Sequence, residues 1–280
     1  MRKYAGWLLI ALMLAGCRSA QVAGTKTSFS FGIMADVQYA DREPNRIKHF
    51  RTSLNRLEAS VEDLNSQNLL FTIQLGDIID GSDSPEKTEE ELDAVLAEYK
   101  KLNMPAYHVI GNHCLTAGMD TLKKKLPLEK LYYDFVPAGT KGWRCVVLNS
   151  NDIEPGVVGD AQKKWLRTTL AKANTHGEKV IIFSHHALTK EAAPNVRMTN
   201  NDEVLPIVEN AGCVVAVFAG HDHVGGYGLR NGIHHITLHG MLTAPEQNAY
   251  AVISVSPDGL FENGVGDEPD REMPFPKPTP

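Results

Sequence analysis

The sequence predicts an α/β fold in one domain, and three features predict it. Short apolar runs alternate with segments of helical periodicity, a late stretch turns into consecutive short strands, and neither an internal repeat nor a linker interrupts residues 28–270. Phe29 to Met34 reads as the first strand, and Ile47, Phe50, Leu54, Leu57, Val61 and Leu64 follow at helical spacing. Leu69 to Leu75 reads as the second strand, before a helix carrying Leu92, Val95, Leu96 and Tyr99. Further strands are expected at Ala106 to Ile110, Arg144 to Leu148, Val180 to Phe183 and Val214 to Phe218. Helical patterns at Ala161 to Ala173 and Asp202 to Glu209 separate the later ones. Ile233 to Leu238, Ala249 to Val255 and Gly259 to Phe261 then form the meander, with Pro257-Asp258-Gly259 as one of its turns. Alternation of this kind implies a largely parallel sheet flanked by helices, and the meander adds mixed strands.

Composition narrows the function classes. The 280 residues are 42% apolar, enough to bury a large core without disulfide staples. Acidic residues outnumber basic ones, 34 to 28, so a nucleic-acid partner is not expected. Cys114, Cys145 and Cys213 follow no zinc-site spacing, and Cys145 and Cys213 sit within apolar runs as small core residues.

In open α/β sheets, binding groups collect on loops at the carboxyl ends of strands. Those positions hold Asp36-Val37-Gln38, Gly76-Asp77-Ile78-Ile79-Asp80, Gly111-Asn112-His113, Ser184-His185-His186 and Gly220-His221-Asp222-His223. Any one of these is an ordinary cap or turn. Together they gather carboxylates, amides and imidazoles at one edge, a donor set suited to Mn²⁺, Fe²⁺ or Zn²⁺. His186 is expected to point away from that edge, and His234, His235 and His239 to be structural or rim residues, because strand alternation splits them between faces.

The order of these blocks resembles the calcineurin-like metallophosphoesterases. The resemblance implies a four-layer α/β/β/α sandwich with mixed sheets and a dimetal site at the strand ends. It assigns Asp36, Gln38 and His223 to one metal, Asn112, His185 and His221 to the other, and Asp77 to the bridge between them. His113 would act as general acid or transition-state stabiliser, oriented by Asp80. Gln38 stands where many members carry histidine, and Cys114 where an acidic residue is usual. Asp36-Val37-Gln38-Tyr39-Ala40-Asp41, Gly220-His221-Asp222-His223-Val224-Gly225-Gly226-Tyr227, Thr243-Ala244-Pro245-Glu246 and Asp267-Glu268-Pro269-Asp270-Arg271 resemble one subgroup, the manganese-dependent ADP-ribose/CDP-alcohol diphosphatases. That implies two divalent ions, Mn²⁺ first, and cleavage of phosphoanhydride bonds in small nucleotide-type substrates by metal-activated hydroxide. The alternative is another activity of the same family, on phosphomonoesters, cyclic nucleotides or sugar nucleotides. A lipoprotein that binds metal without turnover is the reading from a different class.

The N-terminus reads as an address. Arg2 and Lys3 precede the apolar run Trp7 to Leu14, which is shorter than the ~20 residues a membrane-spanning helix needs. Leu14-Ala15-Gly16-Cys17 resembles the lipobox of bacterial lipoproteins. The resemblance implies removal of residues 1–16 as a signal peptide, lipidation of Cys17, and attachment to a membrane in the bacterial cell envelope, facing the periplasm or cell surface. Residues 17–27 then serve as a tether, 28–271 as the metallophosphoesterase domain and 272–280 as a Pro-rich disordered tail. Oligomeric state is not fixed by the sequence.

Overall fold

A computed structural model describes residues 26–126, 128–243 and 247–276. The signal segment, Cys17, most of the tether and Ala244 to Glu246 lie outside the described residues. No helix among the described residues is long and apolar enough to cross a membrane.

Two six-stranded mixed sheets are stacked face to face. The first comprises β1 (Phe29–Met34), β2 (Thr72–Gln74), β3 (Ala106–His108), β10 (Ala249–Ser256), β11 (Gly259–Gly266) and β12 (Arg271–Pro274), in the order β12-β11-β10-β1-β2-β3. The second comprises β4 (Tyr133–Phe135), β5 (Trp143–Val147), β6 (Lys179–Phe183), β7 (Val214–Ala219), β8 (Val224–Arg230) and β9 (Ile233–His239), in the order β4-β5-β6-β7-β9-β8. Strands β1, β2 and β3 run parallel, as do β5, β6, β7 and β9, while β10, β4 and β8 pair antiparallel to their neighbours.

Three separate apolar layers make this a four-layer sandwich. Strand alternation sends Phe31 and Ile33 of β1 inward, where they meet Phe183 of β6 and Phe218 of β7 between the sheets. Phe31 stacks on Phe71 at 4.8 Å and meets Phe183 edge-on at 5.7 Å. Met34 turns outward, onto Leu57, Val61 and Leu64 of α1 (Ser53–Asn65) and Leu92 and Val95 of α2 (Pro85–Tyr99). On the opposite face Leu166 and Leu170 of α4 (Asp160–Thr175) and Val204 and Val208 of α5 (Asn201–Glu209) pack on β6 and β7. A short helix, α3 (Met119–Lys125), completes the set.

The sequence expectations need correction in four places. The α1 helix starts at Ser53, because Phe50 is drawn into a small cluster with Ala40 and Leu242 and Ile47 lies exposed on a loop. The strand β4 was not expected, being only three residues long. The edge strand β8 was missed as well, since its three glycines and its exposed Val224, Tyr227 and Leu229 give no alternation to read. Order also extends into both flanking segments. Lys26 bridges Thr140, and β12 carries the chain past residue 271 because Met273 is fully buried under the meander.

Candidate metal centre

The loops that leave β1, β2, β3, β6 and β7 converge at one edge of the sandwich. Four of the side chains they present belong to residues with left-handed backbone: Asp36 (φ 51°), Gln38 (φ 43°), Asp77 (φ 49°) and His221 (φ 67°). Each such conformation costs a non-glycine residue on the order of 1–2 kcal/mol, so the fold spends several kcal/mol to aim them. Two glycines make room. A Cβ on Gly111 would lie 2.0 Å from Asp77 Oδ1, and one on Gly76 (φ 105°) would lie 2.5 Å from His185 Nδ1.

Asp36, Asp77 and His185 are fully buried at the floor, and Asn112, His113, His221 and His223 are partly exposed around them. Each carboxylate is held by one oxygen only. The His221 backbone N–H donates to Asp36 Oδ2 at 2.9 Å, and that of His113 donates to Asp77 Oδ1 at 2.8 Å. Asp36 Oδ1 and Asp77 Oδ2 are left buried without a hydrogen-bond donor, and so is Gln38 Oε1. Gln38 is fixed in that orientation because its Nε2 donates to Asp80 Oδ1 at 2.8 Å. Three buried oxygens without a donor are costly unless a cation meets them.

The histidines are oriented the same way. His185 Nδ1 donates to the Leu75 carbonyl at 2.8 Å, which leaves Nε2 unprotonated in the neutral ring. That Nε2 faces Asn112 Oδ1 at 3.0 Å and Asp77 Oδ2 at 3.2 Å, three lone-pair atoms aimed at one another. Burial opposes a charge on His185, yet the Asp77 carboxylate overcomes it and raises the pKa to about 9. Burial likewise works against the Asp77 charge, but His185 and then His113 hold its carboxyl well below the usual range. Asp36, Asp77 and His185 lie close enough together to share one ion, and His223 Nε2 lies 3.5 Å from Asp36 Oδ1. The donor set therefore fits divalent metal.

His186 departs from the sequence expectation. Its ring lies 4.4 Å from that of His221 and it groups with His185 and His221 at metal-sharing distance. Its Nδ1 is tied to Ser150 Oγ at 2.8 Å, and burial, then the neighbouring His185 and His221, push its pKa down to about 2. It walls the site as a neutral ring. His234 and His235 are buried in β9, and His234 bonds Tyr227 and the Pro274 carbonyl.

Beside the floor, Asp80 is a hub. It accepts from Gln38 and from Arg42, and its Oδ1 lies 3.2 Å from His113 Nδ1. His113 Nδ1 also donates to the Asp80 carbonyl at 3.1 Å, so this nitrogen carries hydrogen and Nε2 is free for other work. Cys114 takes no part: it is buried in the core beneath α2, where burial pushes its thiol up to about 12. Sequence reasoning missed Arg42 and Glu268. Glu268 accepts from the His239 backbone N–H and faces its ring, pinning the end of β9 next to Gly240, which lies against His223. The signal for Glu268 was its place in the late motif Asp267 to Arg271.

Residues 29–225 match the calcineurin-like phosphoesterase family, most of the domain and every loop of this site. The chain belongs to the calcineurin-like phosphoesterases. It is a hydrolase of the metallophosphoesterase class, with the fold and strand-end donor set of that family. It is 34% identical over 304 residues to a protein of Oryza sativa subsp. japonica named manganese-dependent ADP-ribose/CDP-alcohol diphosphatase, covering 88% of this chain and 94% of that relative. A Mus musculus protein of the same name is 30% identical, with 91% of this chain and 96% of the relative covered. Among solved structures, a dimetal phosphatase from Danio rerio superposes with a TM-score of 0.78 at 26% identity, covering 89% of this chain and 99% of that one.

Proposed function

We propose that this phosphoesterase cleaves the phosphoanhydride bond of small nucleoside diphosphate-linked compounds, ADP-ribose and CDP-alcohols, with two Mn²⁺ ions. The naming of the relatives supports the substrate class and the metal. The observation that carries the chemistry is the set of three buried, bare oxygens on Asp36, Gln38 and Asp77. Asp36, Gln38 and His223 would hold one ion, Asn112, His185 and His221 the second, and Asp77 both. When bound, such a pair neutralises a phosphoryl group and activates water for in-line attack.

The chain's own residues supply the rest. The Leu75 carbonyl fixes the His185 tautomer, and Asp80 turns the Gln38 oxygen inward. Asp80 also leaves His113 Nε2 available to the oxygen that departs from phosphorus, where a proton or a positive charge is needed. For ADP-ribose the products are AMP and ribose 5-phosphate. Metal-stripped protein given back Mn²⁺ is expected to release AMP from ADP-ribose and CMP from CDP-choline, with little p-nitrophenol from p-nitrophenyl phosphate. Turnover of the monoester alone would reject the substrate class and favour a phosphomonoesterase.

We also propose that the chain is lipid-anchored through Cys17 in a cell envelope, supported by the Leu14-Ala15-Gly16-Cys17 pattern behind a short apolar run. Expressed in a bacterium, the full chain is expected in the membrane fraction, and the Cys17→Ser variant there in sharply reduced amount with unprocessed signal. Equal distribution of the two would reject the anchor.

A further inference from the structure

The segment from Asp41 to Thr52, between β1 and α1, is clipped to the site at several points. Arg42 reaches Asp80, and its guanidinium lies 3.9 Å over the Phe50 ring. The His49 backbone N–H donates to the Leu242 carbonyl, and the Leu242 N–H donates to the carbonyl of Asp36 itself. Between these clips Asn45 and Lys48 exchange both backbone hydrogen bonds at 3.0 Å, closing a tight turn with Arg46 left-handed at its tip (φ 54°). The turn thus fixes the backbone of Lys48 one residue from a strut that leads to a floor carboxylate.

Apart from Arg46, which is exposed at the tip of the turn, the other cations nearby are held. Arg42 is held by Asp80, Arg51 by Asp41 and Glu43, and Lys87 by the Asp41 carbonyl. Lys48 is partly buried and, among the described residues, forms neither an ion pair nor a side-chain hydrogen bond. Burial works against its charge and lowers its pKa; Asp77 and Asp36 are the carboxylates that favour the ammonium, and Arg42 opposes it. His113 feels the same ammonium as a repulsion. The turn and the His49–Leu242–Asp36 strut set Lys48 beside the floor of the site, and no carboxylate pairs with its ammonium. A lysine is a flexible point charge, and one held half-desolvated without a partner is prepared for an anion that arrives later.

A diphosphate-linked substrate presents two phosphates. The dimetal site meets the one under attack, and the second, on the leaving side, remains to be neutralised. We propose that Lys48 binds this second phosphate and so selects diphosphate-linked substrates over monophosphates. This rests on the substrate class proposed above. Arg42 cannot serve in its place without releasing Asp80 Oδ2.

The test compares wild type, Lys48→Gln and Lys48→Arg, all Mn²⁺-loaded. Calorimetry with the non-hydrolysable α,β-methylene analogue of ADP-ribose is expected to show roughly ten- to hundred-fold weaker binding for Lys48→Gln, the worth of one charge-assisted hydrogen bond. KM for ADP-ribose should rise in step, with kcat changed far less, and Lys48→Arg should recover most of the loss. Inhibition by orthophosphate, which has one phosphate only, should stay within about two-fold of wild type. Binding of the analogue by Lys48→Gln as tight as by wild type overturns the inference. So does an equal loss of orthophosphate inhibition, which would place Lys48 at the attacked phosphate. If wild type neither hydrolyses ADP-ribose nor binds the analogue, the substrate class itself falls; if it does both and Lys48→Gln matches it, only this inference does.

Discussion

Asp77→Asn is expected to lose bound metal and hydrolytic activity together, the rate falling by about 10³-fold or more. The substitution is chosen because it changes little else. Asparagine has the same shape and tolerates the left-handed backbone that residue 77 adopts (φ 49°). Its side-chain oxygen can still accept the His113 N–H that Asp77 Oδ1 accepts now. What changes is the second atom. Asp77 Oδ2, buried and bare, becomes an amide nitrogen whose hydrogens point at His185 Nε2 and at the place a cation would fill. The anionic charge that raises the His185 pKa disappears as well. Metal content by mass spectrometry of the purified protein, beside the rate on ADP-ribose, reads the effect. A variant that keeps its full complement of metal would show that Asp77 is no ligand.

The metal-site candidates were legible because strand ends are legible. Apolar runs such as Val180 to Phe183 and Val214 to Phe218 are bounded by polar residues, and the α/β rule says those residues share an edge. What orients them was not legible. That the Gln38 oxygen faces inward depends on Asp80, 42 residues away, and the His185 tautomer depends on the Leu75 carbonyl, contributed by another sheet. Periodicity carries no information about such long-range partners. His186 was misjudged for a related reason: the loop after β6 does not stay extended, and Ser150 from the neighbouring strand's loop pulls the ring toward His221. The segment holding Arg42 and Lys48 was misread in part as helix, since Ile47 and Phe50 happen to continue the helical spacing of α1. The physical reason it is a loop lies in contacts outside it, Arg42 on Asp80 and His49 on Leu242.

His113→Ala is expected to keep its metal and lose turnover, by about 10²–10⁴-fold in kcat for ADP-ribose. The two predictions separate because His113 serves the site in two independent ways. Its backbone N–H holds Asp77 Oδ1, and alanine retains that N–H. Its side chain is tied by Nδ1 to Asp80 and leaves only Nε2 for the substrate. If Nε2 delivers a proton to the leaving oxygen, the loss should shrink on a substrate that departs without one, such as a p-nitrophenyl ester of a nucleotide. If it acts only as a positive charge against the phosphoryl oxygens, the loss should be alike on both substrates. Asp80→Asn then tests the hub. An amide there must turn either its NH2 or its oxygen toward Gln38 and His113, so it cannot accept from both and from Arg42 at once. That variant should weaken metal binding through Gln38 and turnover through His113 in the same protein, a partial loss of both, where Asp77→Asn loses its metal outright and His113→Ala keeps it. Metal loss in His113→Ala equal to that in Asp77→Asn would instead make His113 part of the coordination and remove it from the proton's path.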